Sequence, residues 1–304
     1  PFIMVLGGIG FMIGTGGTDV LTVLSNTPMT VSTIETIVGG AGTDAVRILG
    51  GGAVAVSEVD TVTGSTGTAD SVALLDATTN VIAVSAVESV VATNSASADT
   101  VTMLSAGALS VSGIDNVIGT TASTDSLRLI TAGDDVSVSA IDTVIGTGAG
   151  GADVVTMLAD NTLSVSALDS VIGSGGNDAV RMMGGGTLNV DLIDTVIGGT
   201  STTDVVHLTS TTSLSVSNVE TVQGTTDTTD AVRMLSAGTL ATSAVDSVTG
   251  TSGNADILQL AGSDGEAVSV SAIETVRGSA ATDSVTLLAS GGIAVSAVET
   301  VIGT

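Results

Sequence analysis

Two series of carboxylates recur along the chain, and their types and regular spacing are the first candidates for chemistry. One is the aspartate of a [TAN]-D-x-V-x-L element: Asp19, Asp44, Asp70, Asp99, Asp125, Asp153, Asp178, Asp204, Asp230, Asp256 and Asp283. The other is the acid of a V-S-x-I-E-T-V-x-G element: Glu35, Asp60, Glu88, Asp115, Asp142, Asp169, Asp194, Glu220, Asp246, Glu274 and Glu299. Together they hold 22 of the 31 acids in a chain with only five Arg and no Lys. Hard oxygen donors at this density suit a cation. With a net charge of −26 the chain repels nucleic acid and anionic lipid.

These acids need elements to position them, and the repeat supplies those elements. Neighbouring acids of the second series are 25 to 28 residues apart. A degenerate copy at residues 6–14 has Gly10 in the acid's place. After each aspartate, apolar residues stand two and four positions on, as in Val46 with Ile48 and Val180 with Met182. Polar residues mostly lie between them, an alternation that marks a strand with one buried face. A second strand precedes each V-S, as in Leu163 with Val165, and a third carries T-V after the acid. The expected fold is therefore an all-β parallel β-solenoid of about 11–12 coils, each of about 26 residues and three short strands. Like residues would stack on like. A single continuous solenoid is expected over residues 1–304, with a degenerate first coil and no separate caps. Two-residue Asn-Gly hairpin turns are absent, which disfavours an antiparallel sandwich.

Stacked carboxylates about 4.8 Å apart would repel by roughly 1 kcal/mol per pair in water and by several at lower dielectric. Bound cations, raised pKa values or splayed side chains would have to offset this. For the aspartates, the alternatives are cation ligation and capping of a turn through backbone hydrogen bonds. For the second series they are exposure at a bend, cation binding, or bonds to backbone amides of the next coil.

Gly39–Arg47 reads GGAGTDAVR, which fits the pattern G-G-x-G-x-D-x-U-x, and Gly14–Thr22 (GTGGTDVLT) and Gly173–Arg181 (GSGGNDAVR) are close to it. In these residues the chain resembles hemolysin-type calcium-binding (RTX-like) repeats and related bacterial β-strand-repeat surface proteins. The resemblance implies calcium between coils. The best ligands would be Asp19, Asp44, Asp70, Asp153 and Asp178, with weaker sites at the remaining six aspartates. Turn carbonyls near Gly14, Gly17, Gly39, Gly42, Gly173 and Gly176 would assist. The nonapeptide occurs once in about 26 residues here instead of in tandem, and Thr200–Asp204 (TSTTD) and Ser279–Asp283 (SAATD) lack its glycines.

Catalysis needs singular residues, and His207 is the only histidine, in an outward slot filled elsewhere by Thr or Arg. Cysteine is absent, which excludes disulfides and thiolate chemistry. No enzyme is expected. The residues and the resemblance together point to an extracellular or cell-surface structural protein. It would be a calcium-stabilised subunit of a filament, sheath or S-layer that stacks head to tail with copies of itself, with possible lateral contacts through the arginines. The alternative is the stalk or binding module of a secreted adhesin that recognises ice or carbohydrate. Neither nucleic acid nor membrane insertion is expected.

Overall fold

The computed structural model describes the chain except for residues 1–2, 7–9, 25, 27, 68, 76–78, 94–97, 122–123, 149, 211–212, 227–228, 254, 290 and 304. The expected element at residues 6–14 and the segment 121–125 (TASTD) that leads into Asp125 lie partly outside the described residues. The chain forms two compact units, Pro1–Thr156 and Met157–Thr304. Every strand pairing described within them is parallel, and no helix occurs among the described residues.

Each unit is a parallel β-solenoid, but its turn takes about 18 residues and two strands, not about 26 and three. In the first unit, Val20–Val23 pairs with Thr36–Val38, which pairs with Gly52–Ser57, which pairs with Asp70–Leu74. The strands between them form a second ladder: Met29–Ser32, Ala45–Ile48, then Thr61–Thr63. In the second unit, Ala179–Met182, Thr195–Ile197, Ser213–Ser217 and Ala231–Met234 make one ladder. Gly186–Asp191, Asp204–Leu208, Thr221–Gln223 and Thr239–Ser243 make the other. One sequence repeat supplies three strands to a two-sheet coil, so it spans one and a half turns and successive repeats start on alternate sheets.

Like therefore does not lie on like, contrary to the expectation from the sequence. In each sheet an aspartate strand is followed by a threonine strand, then a V-S strand, and only then by the next aspartate strand. Equivalent residues on one sheet are three strands apart, or about 14 Å at normal strand spacing. The core permits this because its slots require only apolar volume. Leu21, Ile37, Val56 and Leu74 occupy one continuous ladder, and all are buried. The V-S serines accordingly meet residues of other positions, as where Ser85 Oγ donates to Ser105 Oγ at 3.1 Å.

Two backbone devices make the bends. The residue after V-S is left-handed: Thr33, Glu58, Ala86, Ala140, Ala167, Leu192, Asn218, Ala244, Ala272 and Ala297 all have φ of 51–55°. The glycine closing T-V-x-G lies against that residue's carbonyl in the next turn. A Cβ on Gly39 would come within 1.8 Å of Glu58 O, and one on Gly250 within 1.9 Å of Ala272 O. Where the closing glycine is replaced by Ala92, the facing left-handed residue is itself a glycine, Gly113 (φ 63°). Each contact thus has a glycine on one side.

Candidate functional site: the carboxylate corners

All eleven aspartates of the first series are buried, with no more than 2% of their surface exposed. Each stands at or immediately before the start of its strand, and in every corner but that of Asp99 the loop from the closing glycine curls back so that a main-chain amide meets the carboxylate. Gly40 N donates to Asp44 Oδ2 at 2.7 Å and Gly199 N to Asp204 Oδ2 at 2.7 Å. In most corners a hydroxyl joins the amide of the same residue. Thr120 N and Oγ1 reach Asp125 Oδ2 at 2.6 and 2.7 Å, and Ser174 N and Oγ reach Asp178 Oδ2 at 2.6 and 2.8 Å. Equivalent bonds reach Asp70, Asp153, Asp230, Asp256 and Asp283, and Thr15 N serves Asp19.

In several corners the other carboxylate oxygen accepts from the neighbouring turn. Gly107 N donates to Asp125 Oδ1 at 3.0 Å, Gly133 N to Asp153 Oδ1 at 2.8 Å, and Glu266 N to Asp283 Oδ1 at 2.8 Å. Asn80 gives Asp99 Oδ1 both its N and Nδ2 at 2.8 Å.

The second acid series is placed by the same corners. Glu35 Oε2 accepts from Asp19 N, Asp60 Oδ2 from Asp44 N and Glu88 Oε2 from Asp70 N, each at 2.7 Å. The pairing continues through Asp115, Asp142, Asp194, Glu220, Asp246, Glu274 and Glu299. In return the N–H of the second acid, or of its following Thr, Asn or Ser, donates to the aspartate's carbonyl, as from Asp60 and Thr61 to Asp44 O. Of the alternatives for this series, bonding to amides of the adjoining turn is present, and Glu88, Asp169, Asp194 and Glu299 are also exposed. The partners are 16 to 18 residues apart in sequence, one turn of the solenoid. A 26-residue coil places them in separate columns, so sequence reasoning could find each acid but not the pair.

The donor count sets the electrostatics. Burial pushes Asp153 up, but the amide and hydroxyl of Thr147 and the amide of Gly133 outweigh it and hold the carboxyl below its ordinary pKa. Asp204 is raised, first by burial and then by the Glu220 carboxylate, with only the Gly199 amide opposing. Its Oδ1 is buried without a hydrogen-bond partner. Burial also raises Asp134 and Glu266, with the carboxylates of Asp153 and Asp283 adding to it and the amides of Gly113 and Ala244 opposing.

The glycines near the carbonyls expected to assist an ion have a role in the backbone ladder at three positions. Gly14, Gly39 and Gly173 donate their N–H to Ser32 O, Ser57 O and Asp191 O at 2.8 Å, and none has room for a Cβ. Gly17 and Gly42 have φ of 137° and 124°. A Cβ on Gly176 would collide with the Asp160 carboxylate. Among the described residues, no three His, Asp or Glu side chains converge as a metal-holding group. His207 stands in the outward slot of Asp204–Leu208, between Asn189 and Gln223 on adjacent strands. No family model, curated protein or solved structure matches the chain.

Proposed function

We propose that the chain is a structural repeat protein of an extracellular or cell-surface assembly, held by amide-capped carboxylates. The observation that carries this reading is the fate of the aspartates. The residues best suited to chemistry are buried, and an N–H group engages at least one oxygen of each, while Asp70, Asp99, Asp204 and Asp256 each keep one buried oxygen without a hydrogen-bond partner among the described residues. An N–H presents its positive end to the carboxylate, the role a cation would otherwise play. The same arrangement recurs from corner to corner, which suits repeated mechanical holding better than one reaction. A surface-binding module remains the second reading, favoured by the outward polar run Ser170, Asn189, His207 and Gln223.

The test is thermal unfolding followed by far-ultraviolet circular dichroism, with EDTA and with calcium at millimolar concentration. An amide-held fold keeps its midpoint in both. Calcium bound to the native corners at about 100 times its Kd would add about 2.7 kcal/mol per site. A midpoint that climbs with calcium concentration would restore the ion-ligation reading.

A further inference from the structure

We propose that, in the second unit, the sheet carrying Arg181 and Arg233 is a lateral docking face for a second copy of this chain; the inference rests on the structural reading above. The third and fifth residues after each aspartate point outward on the same side of the strand. Because successive repeats alternate between sheets, these slots are dealt to two faces. One face receives Arg181 with Met183, Arg233 with Leu235, and Thr286 with Leu288. The other receives Leu158, His207 with Thr209, and Gln259 with Ala261, with Arg277 beside Gln259. The buried slots of the same strands are apolar on both faces: Val180 with Met182 and Val232 with Met234 on one, Val206 with Leu208 and Leu258 with Leu260 on the other. From Arg181 onward the surface thus carries a two-repeat pattern that the core does not require.

Met183, Leu235 and Leu288 are 46%, 46% and 55% exposed, and Arg181 and Arg233 are exposed. Single exposed apolar side chains are ordinary. Here, however, they recur every third strand, each of the first two beside an arginine. The same sheet bears an acidic row at its strand starts, Asp194, Asp246 and Glu299, also every third strand. Both rows inherit the pitch of two repeats, about 14 Å across the strands. A two-fold axis parallel to the rows lays the arginine row of each copy along the acidic row of the other, an isologous contact. A second copy necessarily shares this pitch. Repulsion between the net charges is screened beyond about 8 Å at physiological ionic strength, whereas facing rows lie within that range.

The test is sedimentation velocity of the full chain at about 0.1 mM, a concentration that populates even weak dimers. The wild type should dimerise. Arg181→Ser with Arg233→Ser should weaken association at least tenfold, and so should Met183→Ser with Leu235→Ser. His207→Ser with Gln259→Ser, on the opposite sheet, should leave it unchanged, and circular dichroism would verify that every variant is folded. A monomeric wild type, or equal losses from both faces, overturns the docking face. So does binding of a sulfated dextran that requires the two arginines while the chain stays monomeric, since the face would then belong to a polyanion. None of these outcomes bears on the calcium titration, so the structural reading stands or falls separately.

Discussion

Asp153→Asn and Asp204→Asn are the same substitution at equivalent corners, yet they should respond to pH in opposite directions. Asp153 accepts from Thr147 N at 2.7 Å, Thr147 Oγ1 at 2.8 Å and Gly133 N at 2.8 Å. An asparagine there turns an NH2 toward at least one buried donor and forfeits a charge-assisted bond, a loss of about 2–3 kcal/mol at pH 7. Asp204 accepts from the Gly199 amide, and one amide oxygen can replace that acceptor. The substitution also removes repulsion from Glu220, so the change should stay within about 1 kcal/mol. The folded pKa of Asp153 is lowered, so its contribution is present above the unfolded value near pH 4 and is lost as pH falls through the folded one. The folded pKa of Asp204 is raised, so its contribution is full below the unfolded value and is lost as pH rises through the folded one. Acidification should therefore shrink the cost of Asp153→Asn and enlarge that of Asp204→Asn. Urea unfolding followed by circular dichroism at pH 7 and near pH 4 measures both. If the two pH slopes have the same sign, or if Asp153→Asn is neutral at pH 7, the donor-count reasoning fails.

The bends give a second pair of opposed effects. Gly250→Ala should cost about 3 kcal/mol or more, because its Cβ would lie 1.9 Å from Ala272 O, whereas Ala272→Gly, at φ 53°, should stabilise by up to about 1 kcal/mol; thermal midpoints decide. Ser279→Ala removes the hydroxyl 3.0 Å from Asp283 Oδ2 but keeps the amide, and should cost about 1 kcal/mol in urea unfolding. Glu266→Gln keeps an acceptor for Ala244 N and removes the carboxylate near Asp283, so it should be better tolerated at pH 7 than near pH 4, a difference that urea midpoints at the two values would reveal.

The parallel solenoid was legible because the period-two alternation after each aspartate and the short turns admit little else. The number of strands per turn was not legible. Leu21, Ile37 and Val56 are interchangeable fillers, so their periodicity reports burial without reporting which strand lies above which. An odd number of strands per repeat in a two-sheet coil must alternate faces, and only pairing shows it. The aspartates declared themselves by recurrence, and turn capping was already one of the alternatives for them. Their partners one turn away stayed hidden behind the wrong period. The left-handed corners gave almost no signal, since Ala, Thr, Glu and Leu occupy them more often than Gly or Asn. The one clue was Ala92 in place of a glycine, matched by Gly113 one turn later.

Spin labels give the most direct test of the one-and-a-half-turn repeat. Arg181 and His207 occupy the same slot in successive repeats, so a 26-residue coil would set them on adjacent strands. Here they lie on different sheets, while Asn189 is the in-register neighbour of His207. Labels at 189 and 207 should show strong dipolar broadening, and labels at 181 and 207 should not. Strong broadening for 181 with 207 and none for 189 with 207 would contradict the fold on which the corners and both faces depend.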